Sequence, residues 1–188
     1  VNSNPWEAIP DAEGEFFRKW YVGQPVDIIG LAASGGHTRS HAERGAVSVW
    51  VNAEGRAFLS AEVPGDGTVV EGTAGFLPIV TDGTVVDPPG GDPHPRTAIG
   101  LDRNGTTMWL VVVDGRRKNY SEGMNFHELG SFMRGLGCWD AANMDGGGSS
   151  IMGVAGTDGS LFVVNTPSDR WLWLRRIRPL PTVLTIRN

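Results

Sequence analysis

Asn125-Phe-His-Glu-Leu-Gly-Ser-Phe-Met-Arg-Gly-Leu-Gly-Cys-Trp-Asp-Ala-Ala-Asn-Met-Asp-Gly-Gly-Gly-Ser-Ser150 changes its periodicity halfway along, and that change sets the fold class. In its first half Phe126, Leu129, Phe132, Met133 and Leu136 recur at helical spacing. Asn125 with Glu128 three residues on resembles a capping box, while Gly135 and Gly137 supply the stop. The second half, Cys138–Met144, is a short apolar run that predicts a strand ending at Asp145. One helix therefore delivers the chain into a buried strand.

Around this unit, short β-like runs are joined by turn signals. Val47–Val51 leads through Asn52-Ala-Glu-Gly55 into Arg56–Val63, and Gly75–Thr81 through Asp82-Gly83 into Thr84–Asp87. Thr97–Leu101 leads through Asn104-Gly105 into Thr107–Asp114, and Ser150–Val154 through Asp158-Gly159 into Leu161–Val164. Asn-Gly and Asp-Gly between apolar runs are strong hairpin signals, because type I′ turns need two residues at positive φ. A further helix is expected over Asp11–Tyr21, with Phe16, Phe17 and Trp20 on one face. The expected class is α+β: one domain, mostly antiparallel sheet, with a few helices packed on it.

The 188 residues suit one domain with a proper core, and 40% hydrophobic with 20% charged residues is a globular composition. A formal charge of −5 argues against nucleic acid as a partner. Arg170, Arg175, Arg176 and Arg178 are interleaved with apolar residues and read as the polar face of a strand. Trp171 and Trp173 alternate with Leu172 and Leu174 and read as sheet packing. No run approaches the roughly 18–20 apolar residues of a membrane span. The chain opens at Val1-Asn-Ser-Asn-Pro without methionine or targeting segment, as a trimmed or mature chain does. The lone Cys138 excludes an intrachain disulfide and reads as a core residue.

Three constellations could carry chemistry. Asp145-Gly-Gly-Gly-Ser-Ser150 puts an acid before backbone N–H groups that no side chain shields. Gly146, Gly147, Gly148 and Ser149 can thus approach an anion closely. The plain alternative is a tight structural turn. The run lacks the Gly-Lys-Ser/Thr ending of a P-loop and the second glycine of a nucleophile elbow. In the second constellation, the Asn104-Gly105 hairpin brings Arg96 within a residue of Asp114, so Arg96 can pair with that acid or fork onto a phosphate. Arg116 adds a second cation there, and His94 beside them is a candidate polar site residue. The third, His37 and His41, lies in a loop-like run with no evident third ligand and reads poorly as a zinc site.

In chain order these runs resemble the phosphodiester glycosidase family. The matching pieces are Val1-Asn-Ser-Asn-Pro-Trp6, Gly75-Phe-Leu-Pro78, His94-Pro-Arg-Thr-Ala-Ile-Gly100 and Val113-Asp-Gly-Arg116. Ser121-Glu-Gly-Met124, Ala142-Asn-Met-Asp-Gly-Gly-Gly-Ser-Ser150 and Val164-Asn-Thr-Pro-Ser-Asp169 complete them. The resemblance implies that residues 1–188 are a catalytic domain, with Asn2, Arg96, Thr97, Asp114, Arg116, Asp145, Ser149 and Asn165 as its polar site residues. It also implies a secreted or envelope location. The family's domain begins with further strands before the Val1-Asn2 motif, so it implies a missing N-terminal piece or a separate chain supplying one. Met144 stands where leucine is usual, a harmless exchange.

The activity so implied is hydrolysis of a glycosidic sugar–phosphate diester, releasing a sugar such as N-acetylglucosamine. Arg96 and Arg116 would hold the phosphate. Asp145 would face the anomeric carbon as base or nucleophile, with Asp114 orienting Arg96 or acting as partner acid and Glu122 as its fallback. No cofactor is required, although Asp114 and Asp145 could share a divalent ion. The rival readings are a polysaccharide-acting hydrolase and a carbohydrate-binding module of an envelope or phage-tail protein.

Overall fold

The computed structural model describes residues 1–9, 21–65, 67–86, 91–171 and 174–187, with backbone alone at 170, 171, 174 and 175. The helix expected over Asp11–Tyr21 lies almost wholly outside the described residues. The four expected hairpins all form: β5 (Val47–Val51) with β6 (Ala57–Ser60), β8 (Leu77–Thr81) with β9 (Thr84–Val85), β10 (Arg96–Leu101) with β11 (Met108–Val113), and β13 (Gly153–Ala155) with β14 (Leu161–Val163). The remaining strands are β1 (Trp6–Ala8), β2 (Val26–Ile28), β3 (Ala32–Ser34), β4 (His37–Ser40), β7 (Glu71–Gly75), β12 (Asp140–Asn143), β15 (Arg170–Trp171) and β16 (Leu174–Arg175).

Two five-stranded antiparallel sheets dominate, in the orders β4-β3-β7-β5-β6 and β11-β10-β12-β8-β9. The chain passes from the first to the second at Gly75–Leu77, where the Phe76 N–H donates to Asn143 O at 2.9 Å. Between the sheets lie Val47 and Val49 from one and Ile99, Ala142 and Met144 from the other. On the opposite face of the second sheet, Ala98 and Ala141 meet Leu129 and Met133 of α1 (Phe126–Gly135). Strands β10 and β12 are thus covered on both faces, which is why their burial runs on without alternation.

Helix α1 starts as expected: Asn125 Oδ1 accepts from Glu128 N–H at 2.8 Å and Glu128 Oε2 from Asn125 N–H at 2.9 Å. It is the only α-helix among the described residues. A single 3-10 turn, Gly147–Ser149, follows the strand that ends before Asp145. The architecture is α+β.

Candidate active site

Antiparallel pairing places four strand ends at one edge of the second sheet. Ala98 lies opposite Asn143, so the start of β10 meets the end of β12, while Leu77 at the start of β8 also faces Asn143. Arg96 lies opposite Val113, which brings the turn after β11 alongside. A cavity of about 470 Å³ opens there, lined by His94, Arg96, Arg116, Asp145 and Gly146–Gly148, together with Phe76, Leu77, Phe126, Asn143, Met144 and Arg178. Asp145 is the only carboxylate in this lining among the described residues.

Asp145 is fixed through its backbone. Its N–H donates to Ser3 O at 3.2 Å and its carbonyl accepts from Asn2 Nδ2 at 2.6 Å. Asn2 Oδ1 accepts from Thr97 Oγ1 at 2.7 Å and from Ile151 N–H at 3.1 Å. Asn2 and Thr97 are 1% and 0% exposed, so both stand beneath the site as its frame and away from the cavity. Burial pushes the Asp145 carboxyl above the usual carboxylate range. Hydrogen bonds from Ser149 and the Gly146 N–H, the Arg178 charge and the Trp6 side chain pull the other way.

The glycine run differs from the open anion cradle expected of it. Gly146 N–H donates to Asp145 Oδ1 at 2.9 Å, Gly147 N–H to Pro95 O at 2.9 Å and Ser149 N–H to Gly146 O at 3.2 Å. Of the four N–H groups, Gly148's alone has no acceptor among the described residues. The glycines are required sterically instead. Gly147 has φ +63° and a Cβ there would lie 3.0 Å from Arg116 Nη1; one on Gly148 would run into the Asp169 carboxylate.

Positive charge comes from side chains. Arg96 does not pair with Asp114. Its Nε donates to Met124 O at 2.9 Å and its Nη2 to Asp92 O at 3.3 Å, with the guanidinium 4.1 Å from the Phe126 ring centroid. The register explains this, since Asp114 lies one residue past Arg96's partner while the segment entering α1 offers a carbonyl and a ring. Arg116, itself at φ +54°, holds its N–H on Glu122 O at 3.1 Å and its Nε 3.5 Å from His94 Nδ1. Burial first, then the charge of Arg116, lowers the Arg96 pKa, though an arginine remains protonated. Neither arginine has a carboxylate partner among the described residues. Two such guanidiniums in one cavity make an anion site.

Asp114 turns away from the cavity. Oδ1 accepts from Asn165 Nδ2 at 2.9 Å and Thr166 N–H at 2.8 Å, and Oδ2 from Tyr120 OH at 2.9 Å. Asn165 also donates to Ser150 O and accepts from Met152 N–H, so Asp114 and Asn165 bind three loops together outside the lining. Glu122 contributes its carbonyl and leaves its side chain exposed. No group of three metal-ligating side chains occurs among the described residues, and the Asp114 oxygens are already engaged.

Arg178 is a charged site residue that sequence reasoning missed. It forks onto Asp169 at 2.9 and 3.1 Å and donates from Nη1 to Ser149 Oγ at 3.2 Å. Ser149 in turn hydrogen-bonds Asp145, so a chain runs from Asp169 through Arg178 and Ser149 to the acid. The alternation predicts one strand's polar face for the arginine-rich segment, but Arg178 lies beyond β16 and points back to the site. The available signal was Asp169, at the end of the same run as Asn165.

A model of the family described as phosphodiester glycosidase matches residues 12–187. A stretch of 82 residues is 34% identical to N-acetylglucosamine-1-phosphodiester alpha-N-acetylglucosaminidase of Bos taurus, covering 44% of this chain and 15% of that protein. A stretch of 63 residues is 41% identical to the SPbeta prophage-derived uncharacterized protein YomE of Bacillus subtilis (strain 168), covering 34% of this chain and 10% of that protein. Among solved structures, the zebrafish N-acetylglucosamine-1-phosphodiester alpha-N-acetylglucosaminidase catalytic domain, auto-inhibited by its pro-peptide, superposes with a TM-score of 0.62 at 20% identity. The superposition covers 81% of this chain and 55% of that one. A hypothetical protein from Synechocystis gives 0.51 at 14% identity, over 72% of this chain and 45% of that one. This chain thus spans about half of each solved relative and 15% or less of the two sequence relatives. At such identities the structural likeness concerns the fold.

Proposed function

The chain belongs to the phosphodiester glycosidase family, and from that premise we propose that it hydrolyses the glycosidic bond of a sugar phosphodiester, with N-acetylglucosamine as the first sugar to test. One observation carries the reading: a half-buried carboxyl with a raised pKa shares a cavity with two guanidiniums that have no carboxylate partner among the described residues. Arg96 and Arg116 hold the phosphate. Asp145 faces the anomeric carbon, either taking the proton of an attacking water or attacking that carbon itself to form a glycosyl ester, which water then hydrolyses, releasing the sugar and freeing the carboxylate. The bond between the anomeric carbon and the phosphate oxygen breaks, and its electron pair leaves with the phosphate. A phosphate monoester departs as an anion, so cation stabilisation substitutes for a general acid and one carboxylate suffices.

The test is a panel of N-acetylglucosamine phosphodiesters and nucleotide sugars in ¹⁸O-labelled water. Free sugar carrying the label, with an unlabelled phosphate monoester, is expected. Label in the phosphate, with a sugar phosphate released, would make the protein a phosphodiesterase. Binding without turnover would make it a carbohydrate-binding module.

A further inference from the structure

The cavity is chemically two-sided. Arg96, Arg116 and His94 lie at the ends of β10 and β11, whereas Phe76 and Asn143 form the wall where the two sheets join. The two wall residues are neighbours through the hydrogen bond from Phe76 N–H to Asn143 O. The Phe126 ring is covered by the Arg96 guanidinium, but Phe76 is 47% exposed inside the cavity mouth. A large aromatic exposed within a polar cavity offers a ligand an apolar face. Asn143 adds a second unmet need. Its side chain is 3% exposed, with Nδ2 donating to Met144 O at 3.0 Å. That carbonyl can only accept, which fixes the amide's orientation and leaves Oδ1 buried with no donor among the described residues. A hydroxyl delivered from the cavity would supply one.

We infer that Phe76 and Asn143 form the sugar subsite, the Phe76 ring stacking on the apolar face of a pyranose and Asn143 Oδ1 accepting one of its hydroxyls. The inference rests on the hydrolase reading for its choice of sugar, but it is tested by binding alone. Free N-acetylglucosamine and inorganic phosphate are titrated separately onto wild type, Phe76→Ala, Phe76→Trp and Arg116→Gln, each checked for folding by thermal melting. Losing the ring should weaken the sugar by about tenfold, the share that covering an aromatic face contributes. Phosphate affinity should stay within about twofold, because no phosphate contact is removed. Phe76→Trp should restore sugar binding, and Arg116→Gln should weaken phosphate while sparing the sugar. Equal weakening of both ligands in Phe76→Ala, or an unchanged sugar affinity, overturns the proposal. Absence of turnover would sink the hydrolase reading and leave this comparison intact.

Discussion

Asp145 is held where its own charge is resisted. Burial raises its pKa above that of the unfolded chain, so between the two values the folded state binds the extra proton. Stability from this group is therefore present at low pH and lost as pH rises through that window. Asp145→Asn should cut kcat/KM by about 10²–10⁴-fold, yet melt no lower than wild type at pH 7, with the difference narrowing as pH falls. A folded Asp145→Asn that retained activity would remove the acid from the mechanism. Arg178 tests the relay from the other end. Its charge lowers the Asp145 pKa, so Arg178→Gln should move the acid limb of kcat/KM to higher pH, and Arg178→Lys should restore part of the shift. An acid limb that stays in place in both variants would show that Arg178 does not act through Asp145. Asp145 was legible because an acid before three glycines is locally unusual. Arg178 was not, since its partners Asp169 and Ser149 meet it only through tertiary folding.

Helix α1 links stability to the site, because Arg96 rests on its first turn. Met124 O and the Phe126 ring, on either side of the cap residue Asn125, hold the guanidinium. Asn125→Ala should cost about 1 kcal/mol in chemical denaturation and also raise KM, since the cap fixes the carbonyl and ring that Arg96 uses. Leu129→Ala, in the helix middle and fully buried, should cost about 2–5 kcal/mol with KM unchanged where the protein remains folded. Equal KM values in the two variants would separate the cap from the site. The elements themselves were readable, because capping boxes and Asn-Gly turns act over a few residues. The direction of Arg96 was not. It depends on which neighbour offers an acceptor, and α1's entry segment outcompetes Asp114. The glycine N–H groups illustrate the same limit, because Pro95, distant in sequence, occupies one of them.

At the scale of the whole molecule, the site depends on how the two sheets are joined. The order β10-β12-β8 inserts a late strand between two earlier ones. Hairpin signals cannot specify such an insertion, because they report only consecutive pairs. The joint is Gly75, which pairs with Val47 in one sheet and precedes the Phe76 bond to Asn143 in the other. A Cβ at Gly75 would lie 2.6 Å from Asn143 O and 2.8 Å from Met144 Sδ, so backbone rather than a flexible side-chain tip must yield. Gly75→Ala should therefore lower stability by about 1–3 kcal/mol, read from the denaturation midpoint at unchanged m. It should also displace Asn143 and the Asp145 behind it, lowering kcat/KM under conditions where the variant is fully folded. Gly135→Ala is the matched control: the same added methyl in α1, with no heavy atom within 4 Å of it. There alanine should be neutral or stabilising by up to about 1 kcal/mol, with activity unchanged. If the two variants behave alike, the joint does not set the geometry of the acid. If only Gly75→Ala loses both stability and turnover, the crossing between the sheets positions the end of β12, and the Asp145 carboxyl with it.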